Sequence, residues 1–407
     1  MSFTKSNNLV ESNLGSNISY SFYTSFDEIT ALQEEWDSFI ESVNGDIYLT
    51  FDWCRVWWQF YGKKRLLRIA IFYQQQKIVA LFPVFIETIW LGPVCLKLAK
   101  IIGTDFTMNI VSPTVRIDLA AEILLCVTDF LFSKEGCDAF YYGPLPGHHP
   151  AVQVIEKDSA CRNSLKFINI RSLGNYTVFP VTDTMDSFFS SLGKNAKKNI
   201  RKQLRKIEAS YQVEFKMANT PDAFLEFVEL HTTQWELTNK LGHFGDWPEA
   251  KYFHIALVKS QSILNHLRLF CLFVDGKPIS YLYMYHFGMR YHSFLSARVC
   301  DIEWDKYSLG SLLHIMRIER AIEEGVVEID AGRGHYSHKL SLGGKEFPLV
   351  SYLISNKSIN SIFRTHVFYF LSRMLHLFYY RIWFKRLAPK LPLKRKPLWK
   401  LWIRTRL

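Results

Sequence analysis

Apolar positions along this chain switch between a helical period and a strand period, and the switches mark its elements. Leu32, Trp36, Phe39 and Ile40 recur at helical spacing and predict a helix over 26–43. Trp53, Trp57 and Phe60 do the same within 51–61; core packing explains them better than an exposed stacking platform. Runs 66–73 and 77–87 read as strands joined at Gln74-Gln75-Gln76, a hairpin. Residues 91–113 show no period and read as irregular. A helix over 117–134 stops at Gly136, and a strand over 138–142 is closed by Gly143-Pro144. The order then recurs. Helices are expected over 183–192, 195–210 and 221–239, then strands 267–274 and 278–287 around Asp275-Gly276, a strong hairpin signal. A strand over 291–298, a helix over 312–324 ending at Gly325, and a strand over 326–330 complete the pattern, followed by a Gly- and His-rich loop through Lys339. Each half runs helices, hairpin, helix, strand, so the chain reads as a duplicated α/β unit.

The expected divisions are a disordered 1–19, a first half 20–175, a second half 176–356 and a tail 357–407. Composition supports a sizeable core, at 48% hydrophobic and 15% aromatic. Seven scattered cysteines without a C-x-x-C argue for reduced thiols and against a structural zinc. Those thiols point to the cytoplasm, and the polar N-terminal stretch has no apolar signal region, so no secretory signal is expected. The net charge of +11 is unevenly placed: 13 of the 49 basic residues follow Glu346, where no acidic residue stands, leaving 36 basic against 38 acidic before it. The basic character belongs to the tail.

The second half carries the candidate chemistry. Its last helix is entered through Tyr307-Ser308-Leu309-Gly310-Ser311, where backbone donors at a helix start can hold a phosphate. The first half enters its equivalent helix through Ser112-Pro113-Thr114-Val115-Arg116, with no glycine and a proline that removes an N–H, so it reads as structural. Asp330, at a strand end beside a glycine-rich loop, is the leading carboxylate for a general base; the alternative is an Asx-type cap on the Gly332–Gly334 turn. His292 is a second candidate base, although a buried histidine explains its strand position better. Tyr336 or Tyr307 could protonate a leaving thiolate, with core or surface packing as the alternative, and Arg333, His335 and Lys339 suit an anionic substrate group. The spacing of Asp330, His335 and His338 matches no metal-ligand signature, so no metal is expected.

The stretches 191–201 (SLGKNAKKNIR), 274–279 (VDGKPI), 307–310 (YSLG) and 330–334 (DAGRG) through Lys339, in this order, resemble a known family. The chain is similar to tandem GNAT acyltransferases, and its second half to the bacterial CelD-like group named for cellulose or exopolysaccharide synthesis, related to FemAB-type transferases. The resemblance spans about 20–356 and implies tandem GNAT-like mixed sheets flanked by helices, followed by a basic aromatic helical tail. It implies acyl-CoA, with acetyl-CoA foremost, as donor at Tyr307, Ser308, Leu309, Gly310 and Ser311. The acceptor would be an amine or hydroxyl of a sugar or cell-envelope precursor. Two other readings stay open: a non-catalytic scaffold at a polysaccharide-synthesis complex, and an aminoacyl-tRNA-dependent transferase.

Two charged features bear on partners. Lys194, Lys198, Lys202 and Lys206 recur every four residues with Lys197, Arg201 and Arg205 beside them, making one helical face positive. A solvated face accounts for most of this; Lys198 and Arg201 are the candidates to steer an acidic substrate, and the lack of interleaved aromatics argues against nucleic acid. In the tail, Arg364, His366, Arg373 and His376 interrupt the apolar run, so no spanning helix is expected. Phe368, Leu371, Leu375 and Phe378 lie opposite a stripe of His366, Tyr369, Arg373, His376 and Tyr380, and Trp383, Trp399 and Trp402 stand among cations. This pattern fits a helix lying on an anionic membrane surface.

Overall fold

The computed structural model describes residues 11–14, 17–238, 242–391, 393 and 395–407. The chain forms two units, one built from the residues up to Leu173 together with Pro348–Leu407, the other from Gly174–Phe347.

In the first unit, positive φ at Gln75 and Gln76 (51° and 64°) turns Leu66–Gln74 back into Lys77–Leu91, the hairpin expected. Around it the sheet runs Glu11–Leu14, Ile18–Tyr23, Leu66–Gln74, Lys77–Leu91, Val94–Ile101, Ala139–Pro146 and Lys345–Ser355, the last paired from Leu349. One pair is parallel, Leu98–Lys100 with Ala139–Tyr141, and helix Ala120–Asp129 makes the crossover. Trp53 and Trp57 are fully buried, and Trp57 lies 5.3 Å from the Phe85 ring, so they pack the core.

Three expectations fail here. Residues 11–14 and 18–19 are strand rather than disordered, because Glu11–Leu14 pairs antiparallel with Ile18–Ser21; residues 1–10 and 15–16 lie outside the described residues. The stretch 91–113 contains a regular strand, Val94–Ile101, whose pattern is masked by the buried cation Lys100. The tail is not a separate element either. Helix Ile359–Leu375 lays Ser361, Thr365, Phe368 and Ser372 onto the unit. Ser361 Oγ donates to Asp138 (2.7 Å) and Ser372 Oγ to the Thr405 carbonyl (2.6 Å). Small hydroxyl residues allow close approach, so this face is buried together with Phe368 and, in part, Leu371 and Leu375, while Phe378 of the apolar row stays exposed. Trp399 and Trp402 are buried too, stacked 4.8 Å apart against Phe384 and Tyr380.

In the second unit the sheet runs from the end of Lys166–Pro180 through Glu328–Arg333, Arg290–Arg298, Lys277–Phe287 and Leu267–Val274 to Val213–Met217. Asp275 and Gly276 have φ of 49° and 77°, the expected tight turn. Helix Leu309–Glu323 makes the crossover between the parallel strands Arg290–Arg298 and Glu328–Arg333, and Gly325 ends it at φ +68°. It starts three residues earlier than its periodicity suggests, and the short helix Ser337–Ser341 lies in the expected loop. Helix Lys194–Glu208 buries Ile200 and Ile207 against the same core. The helix Ala250–Ile263 carried no expectation. All seven cysteines of the chain are free thiols.

Candidate active site

The site begins where two parallel strands part. Arg290–His292 pair with Glu328–Asp330, and the pairing ends there. On its other edge Arg290–Arg298 bulges: Tyr283 faces Leu295 and Met284 faces Ser293, leaving Phe294 as the extra residue. A cavity of about 500 Å³ opens in this fork, lined by Ser293–Ser296 on one strand, Ala331 on the other, and the start of helix Leu309–Glu323.

Ser308, Leu309, Gly310 and Ser311 line that cavity. Ser308 takes the left-handed conformation (φ 53°, ψ 50°), which costs a non-glycine residue about 1–2 kcal/mol. Its carbonyl accepts from Ser311 and Leu312 (2.8 and 3.3 Å), while the first-turn amides of Leu309 and Gly310 have no partner within the helix. Gly310 is not needed for backbone conformation, since its φ is not left-handed; a Cβ there would meet nothing within 4 Å. Its role is space beside the helix start. Tyr307 departs from the expectation: it is core, 2% exposed, and set edge-on to Tyr211 at 5.9 Å.

The deeper wall of the cavity holds residues that sequence reasoning missed. Arg317, 7% exposed, donates from Nη1 to Ser293 Oγ (2.7 Å) and from Nη2 to His314 Nδ1 (2.6 Å), with its Cζ 5.2 Å from the centre of the Phe179 ring. Burial lowers its pKa to about 10. His314 Nε2 lies 3.2 Å from the Leu342 carbonyl, which makes Nε2 the protonated nitrogen and Nδ1 the acceptor. Burial first, then the Arg317 charge, hold His314 well below its ordinary pKa. The available signal was an arginine in phase with an apolar row, Leu309, Leu313, Arg317 and Ala321, at four-residue steps.

Lys339 also lines the cavity, its Nζ donating to the Ala331 carbonyl at 2.7 Å. Burial depresses its pKa; Asp330 opposes this and Arg317 adds to it. The other expected residues lie around the cavity without lining it. Asp330 is 9% exposed and its Oδ1 accepts the Gly332 amide at 2.7 Å, the turn-capping alternative. His292 is fully buried, and burial, with Arg290, His286 and His266, pushes its pKa down to about 3. Tyr336 is half-exposed, its ring 5.5 Å from that of His338, and His335 bonds Glu346 at 2.8 Å on the surface. Arg333 ends its strand opposite Tyr176. Lys198 and Arg201 are exposed on helix Lys194–Glu208, Arg201 lying over the Phe189 ring at 5.0 Å.

The first unit's equivalent helix is entered through residues 110–115. They are buried, and the Ser112 amide donates to the carboxylate of Asp46 at 2.5 Å.

Residues 194–340 match the family model of the acetyltransferase (GNAT) domain. This chain carries a GNAT acyltransferase domain. One solved structure supports the fold and two more are similar to the chain. FemX aligns at a TM-score of 0.62 with 11% identity, covering 82% of this chain and 98% of its own. L-PGS from Bacillus licheniformis aligns at 0.46 with 14% identity over 82% and 96%. A tandem GNAT protein from the clavulanic acid biosynthesis pathway aligns at 0.46 with 11% identity over 83% and 99%. No curated protein matches the sequence. The architecture is α/β with tandem GNAT-like mixed sheets, and the protein is a GNAT-type acyltransferase. Among the described residues no cluster of His, Cys, Asp or Glu is arranged to hold a metal ion, and no helix is long and apolar enough to cross a membrane.

Proposed function

We propose that the GNAT domain binds an acyl-CoA in the fork and passes its acyl group to an amine or hydroxyl of a sugar or cell-envelope precursor, as the CelD-like resemblance implies. The open space beside Gly310, at a helix start facing the cavity, carries this reading. The residues fit a pyrophosphate there: two first-turn amides, the helix dipole and no side chain in the way. Bound acyl-CoA would supply an acyl group activated as a thioester. Phe179, Leu282 and Phe294 exclude water from the fork, and Lys339 holds a positive charge in it, where a developing oxyanion is stabilised more than in water. With Asp330 committed to the Gly332 turn and His292 buried, we assign Lys339 the leading chemical role and Asp330 the task of positioning the loop that carries it. Calorimetry with CoA tests the donor site. Gly310→Val, which fills the space, should weaken CoA binding at least about tenfold, and an unchanged affinity overturns the assignment.

The FemAB-type resemblance carries a second reading, aminoacyl transfer from tRNA, with the exposed face of Lys194–Glu208 as the RNA contact. Failure of tRNA to shift the protein on a gel at low salt removes it.

We also propose that the protein docks on anionic membrane. The tail helix leaves Phe363, Phe370 and Phe378 exposed (67%, 59% and 59%), with Arg364, Arg373 and Arg381 interleaved.

A further inference from the structure

Arg317 is a buried cation whose contacts are all neutral. Its neighbours are a serine hydroxyl, the unprotonated nitrogen of His314 and the face of Phe179. Its Nε–H has no hydrogen-bond partner among the described residues, and no carboxylate there comes within ion-pair distance. Asp305 also borders the cavity but is paired with Arg298 at 2.9 Å. Burying a guanidinium without a counter-charge is unfavourable, since its attraction to neutral groups does not replace lost hydration. His314 nevertheless holds it in place, anchored in turn on the Leu342 carbonyl. Lys339 reaches the same cavity, so two positive groups converge on one space of about 500 Å³.

We propose that Arg317, with Lys339, forms a receptor at the floor of the fork for an anionic oxygen group of a substrate, a carboxylate or a phosphate. This rests on the fork being the substrate cavity of the acyltransferase, as proposed above. Arg317 offers a planar donor set suited to two oxygens, and Lys339 a point charge on the other side. The anion arrives in one of two ways. It is the distal carboxylate of a dicarboxylic acyl group on the donor, or it belongs to the acceptor. Ser293 and His314 are positioning residues that fix the guanidinium.

The test uses the full chain and its Arg317→Met and Gly310→Val variants, titrated calorimetrically with inorganic phosphate, succinate, acetyl-CoA and succinyl-CoA. Phosphate or succinate should bind the wild type and Gly310→Val, and bind Arg317→Met about 10- to 100-fold more weakly. A donor carboxylate appears as succinyl-CoA binding at least tenfold tighter than acetyl-CoA, a preference lost in Arg317→Met. An acceptor anion appears as phosphate or succinate binding undiminished under saturating acetyl-CoA, with no preference between the acyl-CoAs. The proposal is overturned if neither anion binds the wild type at millimolar concentration, or if Arg317→Met binds them equally. Methionine fills the volume without a charge, so the fold should be retained. Should Arg317→Met fail to fold, Arg317→Lys serves instead: it keeps the charge, loses the planar donor set, and should bind phosphate several-fold more weakly, equal binding again overturning the idea. If Gly310→Val keeps acyl-CoA affinity while Arg317→Met loses the anion, the donor reading fails and the anion site stands.

Discussion

Arg404 donates from Nε to Oε2 of Glu87 at 2.8 Å, joining positions 317 residues apart in sequence. Glu87 is buried, and Arg65 (3.1 Å) and Lys100 (3.3 Å) reach the same carboxylate. Burial raises its pKa, but Lys100, Arg65 and Arg404 outweigh burial and hold it below the ordinary carboxylate value. The tail is therefore part of the first unit's interior, and cutting it off exposes Ile89, Leu96, Leu98 and Leu353, which cluster with Phe368, and strips a cation from Glu87.

Deleting 358–407 should leave the first unit unfolded or aggregated, contrary to the separable tail that the charge pattern suggested. Arg404→Met alone should destabilise by about 1.5–3 kcal/mol, the range for a hydrogen bond to a charged group. Urea unfolding of the full chain measures the point variant, and solubility with circular dichroism the deletion. A deletion that keeps the wild-type transition would show the tail to be dispensable.

Lys339→Met should lower turnover about 10²- to 10³-fold while CoA affinity stays within about twofold, the pattern for loss of a group that acts on developing charge. Asp330→Asn should keep most activity, because the amide oxygen can still accept from Gly332. Steady-state kinetics on both variants decides between them; the reverse ranking would restore Asp330 as the base.

Acid should weaken the second unit. His292 and His243 are neutral in the fold, their pKa values pushed down to about 3, in both cases chiefly by burial. In the unfolded chain they titrate near 6.5. The unfolded state thus binds more protons between about pH 3 and pH 6.5, and stability falls as pH is lowered through that window. One such histidine accounts for about 2 kcal/mol between pH 6.5 and pH 4.5. His292→Gln should flatten the dependence by that amount in urea unfolding; identical slopes would exonerate His292.

Membrane docking should depend on the exposed tail rings and on charge. Phe370→Ser combined with Phe378→Ser should lower co-sedimentation with anionic liposomes about tenfold or more, at roughly 1 kcal/mol or more for each ring that inserts. High salt should weaken wild-type binding further. Indifference to lipid charge and to these substitutions would mean the surface is merely solvated.

Periodicity and turn chemistry determined much of this protein by themselves. The hairpin at Asp275-Gly276, the crossover helix ending at Gly325 and the duplicated order of elements follow from local rules, because a two-residue turn or a helix stop needs only its own backbone. The helix start at Ser308–Ser311 was legible for the same reason. Tertiary structure alone decided which residues meet. Val94–Ile101 is a strand because it pairs with Lys77–Leu91 and Ala139–Pro146, with Lys100 buried against Glu87, and the tail packs through Ser361, Thr365 and Ser372 because their hydroxyls meet partners on distant segments. Arg317 and Lys339 share a cavity because two parallel strands part beyond His292 and Asp330, and Asp330 turns from the cavity to Gly332. Burial sets the charge state of His292 and His314 and the environment of Arg317, and burial is a sum over contacts distant in sequence, which a pattern read along the chain does not contain.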